Sequence, residues 1–320
     1  MNKTKKWLVT AGVLIALGVV LFGITFLATG CDFTKFNTMN YITQTHEINE
    51  VFKAIGVEVE TADVVFAVAE DGNAKVVCHE NVKVQHSVFV EDGVLMVKAT
   101  DEREWYDHVG VGMAQEKVTV YLPQTAYGVV AVTGSTGDVQ IPKEFTFSRM
   151  RIQLSTGDVY SSASVAGAVT IEATTGDITL RNISVGSLDL TVSTGKIDIS
   201  SVVCNEEIKV ATSTGDADLT DVTCGSLRST GSTGDIDLEN VLVSGRMSIE
   251  RDTGDVEFEK CDAAEIYVET STGDVEGSFL TGKSFFGESS TGKRRLPQTT
   301  GGKCEINTST GDVEITIVNG

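Results

Sequence analysis

Near-copies of the phrase Ser-Thr-Gly-Asp-Val recur through much of this chain, and their spacing restricts the fold more than any other feature. The marker glycine falls at Gly137, Gly157, Gly176, Gly195, Gly215, Gly234, Gly254, Gly273, Gly292 and Gly311, with every gap 19 or 20 residues. A strict period of that length signals an array of stacked units. Within each period apolar residues alternate with polar ones, the pattern of a strand with one face buried. Two residues after the glycine stand Val139, Val159, Ile178, Ile197, Ala217, Ile236, Val256, Val275 and Val313. Five before it stand Val132, Ile152, Ile171, Leu190, Val210, Ile249, Val268 and Ile306. Counting backwards keeps such rows aligned in both period lengths, so the extra residue belongs in the loop between the two strands.

Short strands, a tight turn and a period of about twenty residues describe an all-β solenoid, one coil per phrase. With coils about 4.8 Å apart, ten phrases make a rod of roughly 45–50 Å. A single coil is unstable, because ordering about twenty residues costs more than burying five apolar side chains returns. Stability must come from stacking. The glycine permits positive φ at a corner, and the flanking Ser, Thr and Asp can bond local backbone groups there.

The N-terminus differs in kind. Lys3, Lys5 and Lys6 precede an uncharged apolar run, residues 7–28, that as a helix spans about 33 Å, matching a bilayer core. It exceeds the apolar stretch of a secretory signal, and the lysines place its N-terminal side in the cytoplasm. The reading is an uncleaved anchor. Lipoprotein processing at Cys31 and a signal-peptidase site at Ala28-Thr29-Gly30 are the alternatives. The expected organisation is cytoplasmic lysines and a transmembrane anchor at 1–29, and a juxtamembrane linker at 30–49. A degenerate first coil with a β-rich cap follows at 50–129, and the solenoid occupies 130–320. In the first coil Ala62 stands in the glycine's place. Turns are expected at Asp71-Gly72 and Asp92-Gly93.

The lysine-flanked helix, the segment "DEREWYDHVGV" (101–111), the tandem "STGDV" coils and the ending "TTGGKCEINTSTGDVEI" (299–315) together resemble the bacterial putative-adhesin family. These are membrane-anchored β-strand-repeat proteins carrying a domain of unknown function. The resemblance spans essentially the whole chain. It implies a right-handed β-helix-like solenoid of 19–20-residue coils on the cell surface, behind a single N-terminal transmembrane helix. It supplies no reaction and no catalytic residues.

Net charge is −20, from 25 Lys+Arg against 45 Asp+Glu, which disfavours nucleic acid and anionic lipid as partners and favours cations or cationic peptides. The carboxylates are ordered. After successive glycines come Asp138, Asp158, Asp177, Lys196, Asp216, Asp235, Asp255, Asp274, Lys293 and Asp312, and two positions further come Asp198, Asp218, Asp237, Glu257, Glu276 and Glu314. Stacking turns these rows into ladders. One reading is structural, with the first Asp capping the turn and the second keeping the face soluble. The other is a cation ladder of Asp216, Asp218, Asp235, Asp237, Asp255, Glu257, Asp274 and Glu276, binding Ca2+ or Mg2+ weakly.

The remaining motifs read as structure. "GSFLTGKS" (277–284) satisfies the P-loop pattern, but two glycines in the next eight residues replace the helix a P-loop must open. His46, His79, His86 and His108 show no metalloprotease spacing. Trp105, Tyr106, Asp107 and His108 beside Arg103 read as aromatics sealing the solenoid, or as a sugar or peptide groove. Cys204, Cys224 and Cys261 sit in core rows as small hydrophobes, with a 204–224 disulfide geometrically conceivable. Arg294 falls in a buried row, so its coil must open or pair that charge.

The overall expectation is a non-enzymatic, single-pass, extracellular surface or cell-envelope interaction module without a cofactor. Its expected partners are the membrane through residues 7–28, and a cell-envelope protein, cationic peptide or glycan. A polysaccharide-acting β-helix enzyme and a self-assembling envelope protein are the rivals. The strand through Val313, Ile315 and Ile317 is expected to expose its outer edge, making the C-terminal edge a surface for self-association.

Overall fold

The computed structural model describes residues 3–28, 40–101 and 115–318. One helix, Lys3–Ala28, is long and apolar enough to cross a membrane; its window Thr10–Ala28 lies against none of the solenoid. Cys31 and the 103–108 cluster lie outside the described residues.

The remainder is a β-solenoid, with all strands joined in one continuous sheet system. Each coil leaves its glycine into a strand whose inward residue two positions on is fully buried, as at Ile197, Ala217, Ile236 and Val256. It turns at a second corner six residues after the glycine, where Asn182, Ser201, Asp221, Asn240 and Lys260 all hold φ of 52–56°. It then returns through a longer strand to the next glycine. Equivalent residues pair in parallel, as in Ile178 with Ile197 and Ile197 with Ala217. The extra residue of the 195–215 period lies between Val185↔Cys204 and Leu188↔Ile208, in the loop between the strands.

The glycine is demanded by the backbone. From Gly137 to Gly273 and at Gly311, φ runs from 124° to 153°, and a Cβ at Gly176 would sit 2.1 Å from the Gly157 carbonyl oxygen. Successive corners touch main chain to main chain, so no side chain fits between them.

At the N-terminal end, Ile55 and Val57 pair with Val130 and Val132, and Val64 with Val139, which puts Ala62 at the glycine position. Beyond this coil one more parallel layer follows, residues 94–98 on 54–58 and Glu116–Leu122 on Ala62–Val68, and only then does the parallel stacking stop. Strand Lys75–Asn81 runs antiparallel to Glu116–Leu122 and to Tyr41–Glu47, and Val84–Glu91 runs antiparallel to Val94–Asp101. Gly72 and Gly93 take positive φ at the two turns. Phe66, Phe145 and Phe147 fill the core beneath this region with edge-on aromatic contacts.

The other end departs from sequence order. Val256–Thr272 pairs with Gly302–Thr310, placing Tyr267 opposite Glu305 and Val268 opposite Ile306, and Val275–Phe279 pairs with Val313–Ile317. The Gly292 coil lies on the far side of that last coil, with Lys283–Ser289 on Gly302–Thr310 and Arg294–Arg295 on Val313–Glu314. The spatial order is therefore Gly254, Gly273, Gly311, Gly292.

Arg294 supplies the physical reason. An interior coil must present an apolar residue in that row, whereas an end coil can let it reach water. Arg294 is exposed and donates from Nη1 to the Gly287 carbonyl at 2.6 Å. This narrows the expected C-terminal edge. Val313 and Glu314 are paired on both sides, residues 315–317 on one side only, and the outermost strands among the described residues are Lys283–Ser289 and Arg294–Arg295. The conceivable 204–224 disulfide is also absent. Both cysteines are free and buried, and the Cys204 thiol donates to the Gly186 carbonyl at 3.3 Å.

Candidate functional site

The first carboxylate row staples the rod. Each aspartate Oδ1 accepts the backbone N–H of its counterpart on the next coil: Asp63 from Asp138, Asp138 from Asp158, Asp158 from Asp177, and Asp177 from Lys196. After Lys196, which has no carboxylate to offer, it resumes from Asp216 to Asp235, Asp255 and Asp274. It then follows the spatial order, with Asp312 N–H on Asp274 and Lys293 N–H on Asp312, both at 2.7 Å. The aspartate of the phrase therefore bonds the neighbouring coil rather than its own turn. The structural reading of this row holds in that modified form.

The second row points outward and divides into three parts. Asp198 pairs with Arg181 at 2.8 Å, Asp218 with Lys196, and Glu314 with Arg295 at 3.1 Å. Between them Asp237, Glu257 and Glu276 are register neighbours, and no cationic side chain among the described residues lies within ion-pair reach. These three line an open groove of about 720 Å³ with Glu239, Glu259 and Glu314, over a floor of Leu238, Phe258 and Gly277. Partial burial, then the charges of Asp218 and Asp235, push the Asp237 carboxyl above its ordinary range. Burial, then Asp237 and Glu276, do the same to Glu257. Asp218 Oδ1 is shielded and meets no donor. Of the eight ladder residues, Asp216, Asp235, Asp255 and Asp274 each commit one oxygen to backbone and Asp218 is paired. Asp237, Glu257 and Glu276 keep their charge unbalanced.

A second polar feature escaped the sequence reading. Arg251 is 3% exposed, in the row three residues before the glycine, where Leu154, Ala173 and Val192 fill the core of other coils. Its Nη1 donates to Thr212 Oγ1 at 2.9 Å and its Nη2 to Ser229 Oγ at 3.0 Å, while Nε meets no acceptor. Burial lowers its pKa to about 10, against the pull of Asp216 and Asp235. The guanidinium lies over Gly231, where a Cβ would collide with it. Ser229 interrupts the apolar row five before the glycine, and the row three before it turns polar from Thr212 onward; that coincidence was a legible signal.

The other singled-out residues fall into structural places. Lys283 of the P-loop-like stretch opens a strand and is buried. Its Nζ meets Asp262 Oδ1 at 2.5 Å, the Ala263 carbonyl at 2.7 Å and Thr281 Oγ1 at 2.8 Å, leaving no phosphate cradle. His79 shares a hydrogen bond with Thr43 at 3.0 Å, and His86 is buried in the N-terminal cap. Burial raises the thiols of Cys224 and Cys304 to about 12 and Cys261 to about 11, so they stay protonated and unreactive.

The sequence profile of the family described as Toastrack DUF4097 matches residues 52–316. Among solved structures, a putative adhesin from Parabacteroides merdae is 13% identical, with 88% of this chain and 98% of that one covered at a TM-score of 0.43. A putative adhesin from Parabacteroides distasonis is 10% identical, with the same coverage and a TM-score of 0.42. A putative lipid binding protein, also from Parabacteroides distasonis, is 11% identical, again with 88% and 98% covered, at a TM-score of 0.41. No curated protein matches the chain.

Proposed function

We propose, from the premise that the chain belongs to the Toastrack DUF4097 family, that it is a non-enzymatic interaction module of the cell envelope. The apolar helix Lys3–Ala28 holds it in the membrane, with its lysines in the cytoplasm and the solenoid outside. Its acidic groove takes cationic ligands: Ca2+ or Mg2+, or the basic side chains of an envelope peptide.

The observation that carries this reading is the uncompensated run Asp237, Glu257 and Glu276. Elsewhere on the same row a lysine or arginine closes the charge, at Asp198, Asp218 and Glu314. Like charges stacked at strand spacing repel by about 0.8 kcal/mol per neighbour even in water, before screening. A bound cation removes that repulsion and gains oxygen ligands of the type hard divalent ions prefer.

Calcium titration of the full chain in detergent tests the groove. At tenfold excess over Kd, binding stabilises the fold by about 1.4 kcal/mol, a rise of roughly 2–4 °C in Tm. The rise should exceed that from NaCl of equal ionic strength and vanish in the double variant Asp237→Asn, Glu257→Gln. A shift no larger than that of NaCl removes the cation reading. Protease added to intact cells tests the topology: degradation of the solenoid is expected, and full protection would contradict an outside location.

A further inference from the structure

At the turn that joins strands Lys75–Asn81 and Val84–Glu91, inward positions that should be apolar carry metal-binding chemistry. Strand alternation turns Val76, Cys78 and Glu80 inward from one strand and Val84 and His86 from the next. Cys78 and Glu80 are completely buried and His86 is 4% exposed. One sulfur, one carboxylate oxygen and one ring nitrogen from these three lie within 4.8 Å of one another.

The hydrogen bonding at this cluster is incomplete. Glu80 Oε2 accepts twice from His86, at 2.8 Å from the backbone N–H and at 2.7 Å from Nδ1. Glu80 Oε1 and His86 Nε2, both buried, have no partner. Orphaned polar atoms in a core cost about 1–3 kcal/mol each, so a fold that keeps two of them beside a thiol calls for an occupant. A water molecule could satisfy the oxygen and nitrogen, but it would meet the sulfur only through a weak S–H hydrogen bond.

We propose that Cys78, Glu80 and His86 form a site for a borderline-soft divalent cation of the Zn2+ type. A mixed sulfur, nitrogen and oxygen donor set suits zinc, whereas Ca2+ and Mg2+ prefer oxygen alone. Ligand atoms around a tetrahedral zinc stand roughly 3.3–3.8 Å apart, so closing from the observed spacing needs only side-chain adjustment. On binding, the Cys78 thiol proton leaves to solvent and the thiolate becomes the ligand. The ion would tie together two consecutive cap strands that pair with different neighbours, Lys75–Asn81 with Glu116–Leu122 and Val84–Glu91 with Val94–Asp101. This site is independent of the acidic groove, in both donors and position.

Zinc loading of the chelator-stripped full chain in detergent tests it, with metal content measured after dialysis and Co2+ used as a spectroscopic probe. The expected result is one tightly held Zn2+ per chain and a thiolate-to-cobalt charge-transfer band. Cys78→Ser should abolish the band and weaken Zn2+ by at least about tenfold, and His86→Gln should weaken it comparably. The groove variant Asp237→Asn, Glu257→Gln should leave both signals intact. Should His86→Gln fail to fold by circular dichroism, the near-isosteric Cys78→Ser decides alone. Absence of stoichiometric Zn2+ in the wild type, or retention unchanged in Cys78→Ser, would overturn the site.

Discussion

The middle coils and the last two coils are written in the same phrase, yet they stack by different rules. From Gly137 to Gly273 every coil rests on its predecessor, with glycine against glycine and aspartate against amide. Beyond Gly273 the order becomes Gly311, then Gly292. The repeat dictates how two coils fit together but is silent on which two. Because rows match after a shift of 19 or of 38 residues, the selection falls to residues that break the pattern, and Arg294 is the one that cannot be interior.

The largest test of this contrast is register. Deleting residues 158–176 removes one complete coil and joins Gly157 to Asp177, so a shorter folded rod is expected by circular dichroism. Deleting only 158–166 should unfold the chain, because every row is thrown out of alignment. Equal tolerance of both deletions would break the account of the middle.

The glycines come next. Gly234→Ala in the middle places a Cβ against the Gly215 carbonyl at a φ of 124°, and should cost about 3–5 kcal/mol. Gly292→Ala in the end coil meets the Gly311 carbonyl, but none of the described residues stacks beyond it and the coil can shift, so about 1 kcal/mol is expected. Chemical denaturation of the two variants compares them directly.

Much of this was legible in advance. The solenoid, the inward rows, the loop position of the extra residue and the aspartate row follow from a period long enough to count. The spatial order of the end was not legible, since the repeat is symmetric under translation and offers both pairings the same apolar partners. The second corner was missed because Asn182, Ser201, Asp221, Asn240 and Lys260 share a backbone conformation without sharing a residue type. At the candidate sites the pattern was similar. The carboxylate rows could be read, but which members lack a cation depends on Arg181, Lys196 and Arg295 reaching across coils. Cys78, Glu80 and His86 meet only across a turn between two strands whose inward faces no repeat announces.

Acidity offers a subtler probe. Asp237 and Glu257 have folded pKa values above their ordinary 3.8 and 4.5, so the folded state holds more protons than the unfolded state between those values and the raised ones. The sign follows: their contribution is favourable below the ordinary values and is lost as pH rises through the raised ones. Lowering pH through the raised values toward the ordinary ones should therefore raise Tm by about a degree, and Asp237→Asn with Glu257→Gln should flatten the response. Smaller still, Ser201→Gly relieves a left-handed serine and should stabilise by up to about 0.5 kcal/mol after the entropic cost of glycine.

The order of the last coils can be read by cross-linking. Tyr267 and Glu305 are register partners on adjacent strands, and neighbouring strands lie about 4.8 Å apart, within the Cα range of a disulfide. Sequential stacking would instead put Phe286 beside Tyr267, 19 residues on, with Glu305 two strands away. The account predicts that the variant Tyr267→Cys, Glu305→Cys forms an intramolecular disulfide on mild oxidation, while Tyr267→Cys, Phe286→Cys does not. Efficient closure of the 267–286 pair, with the 267–305 pair remaining reduced, would contradict it.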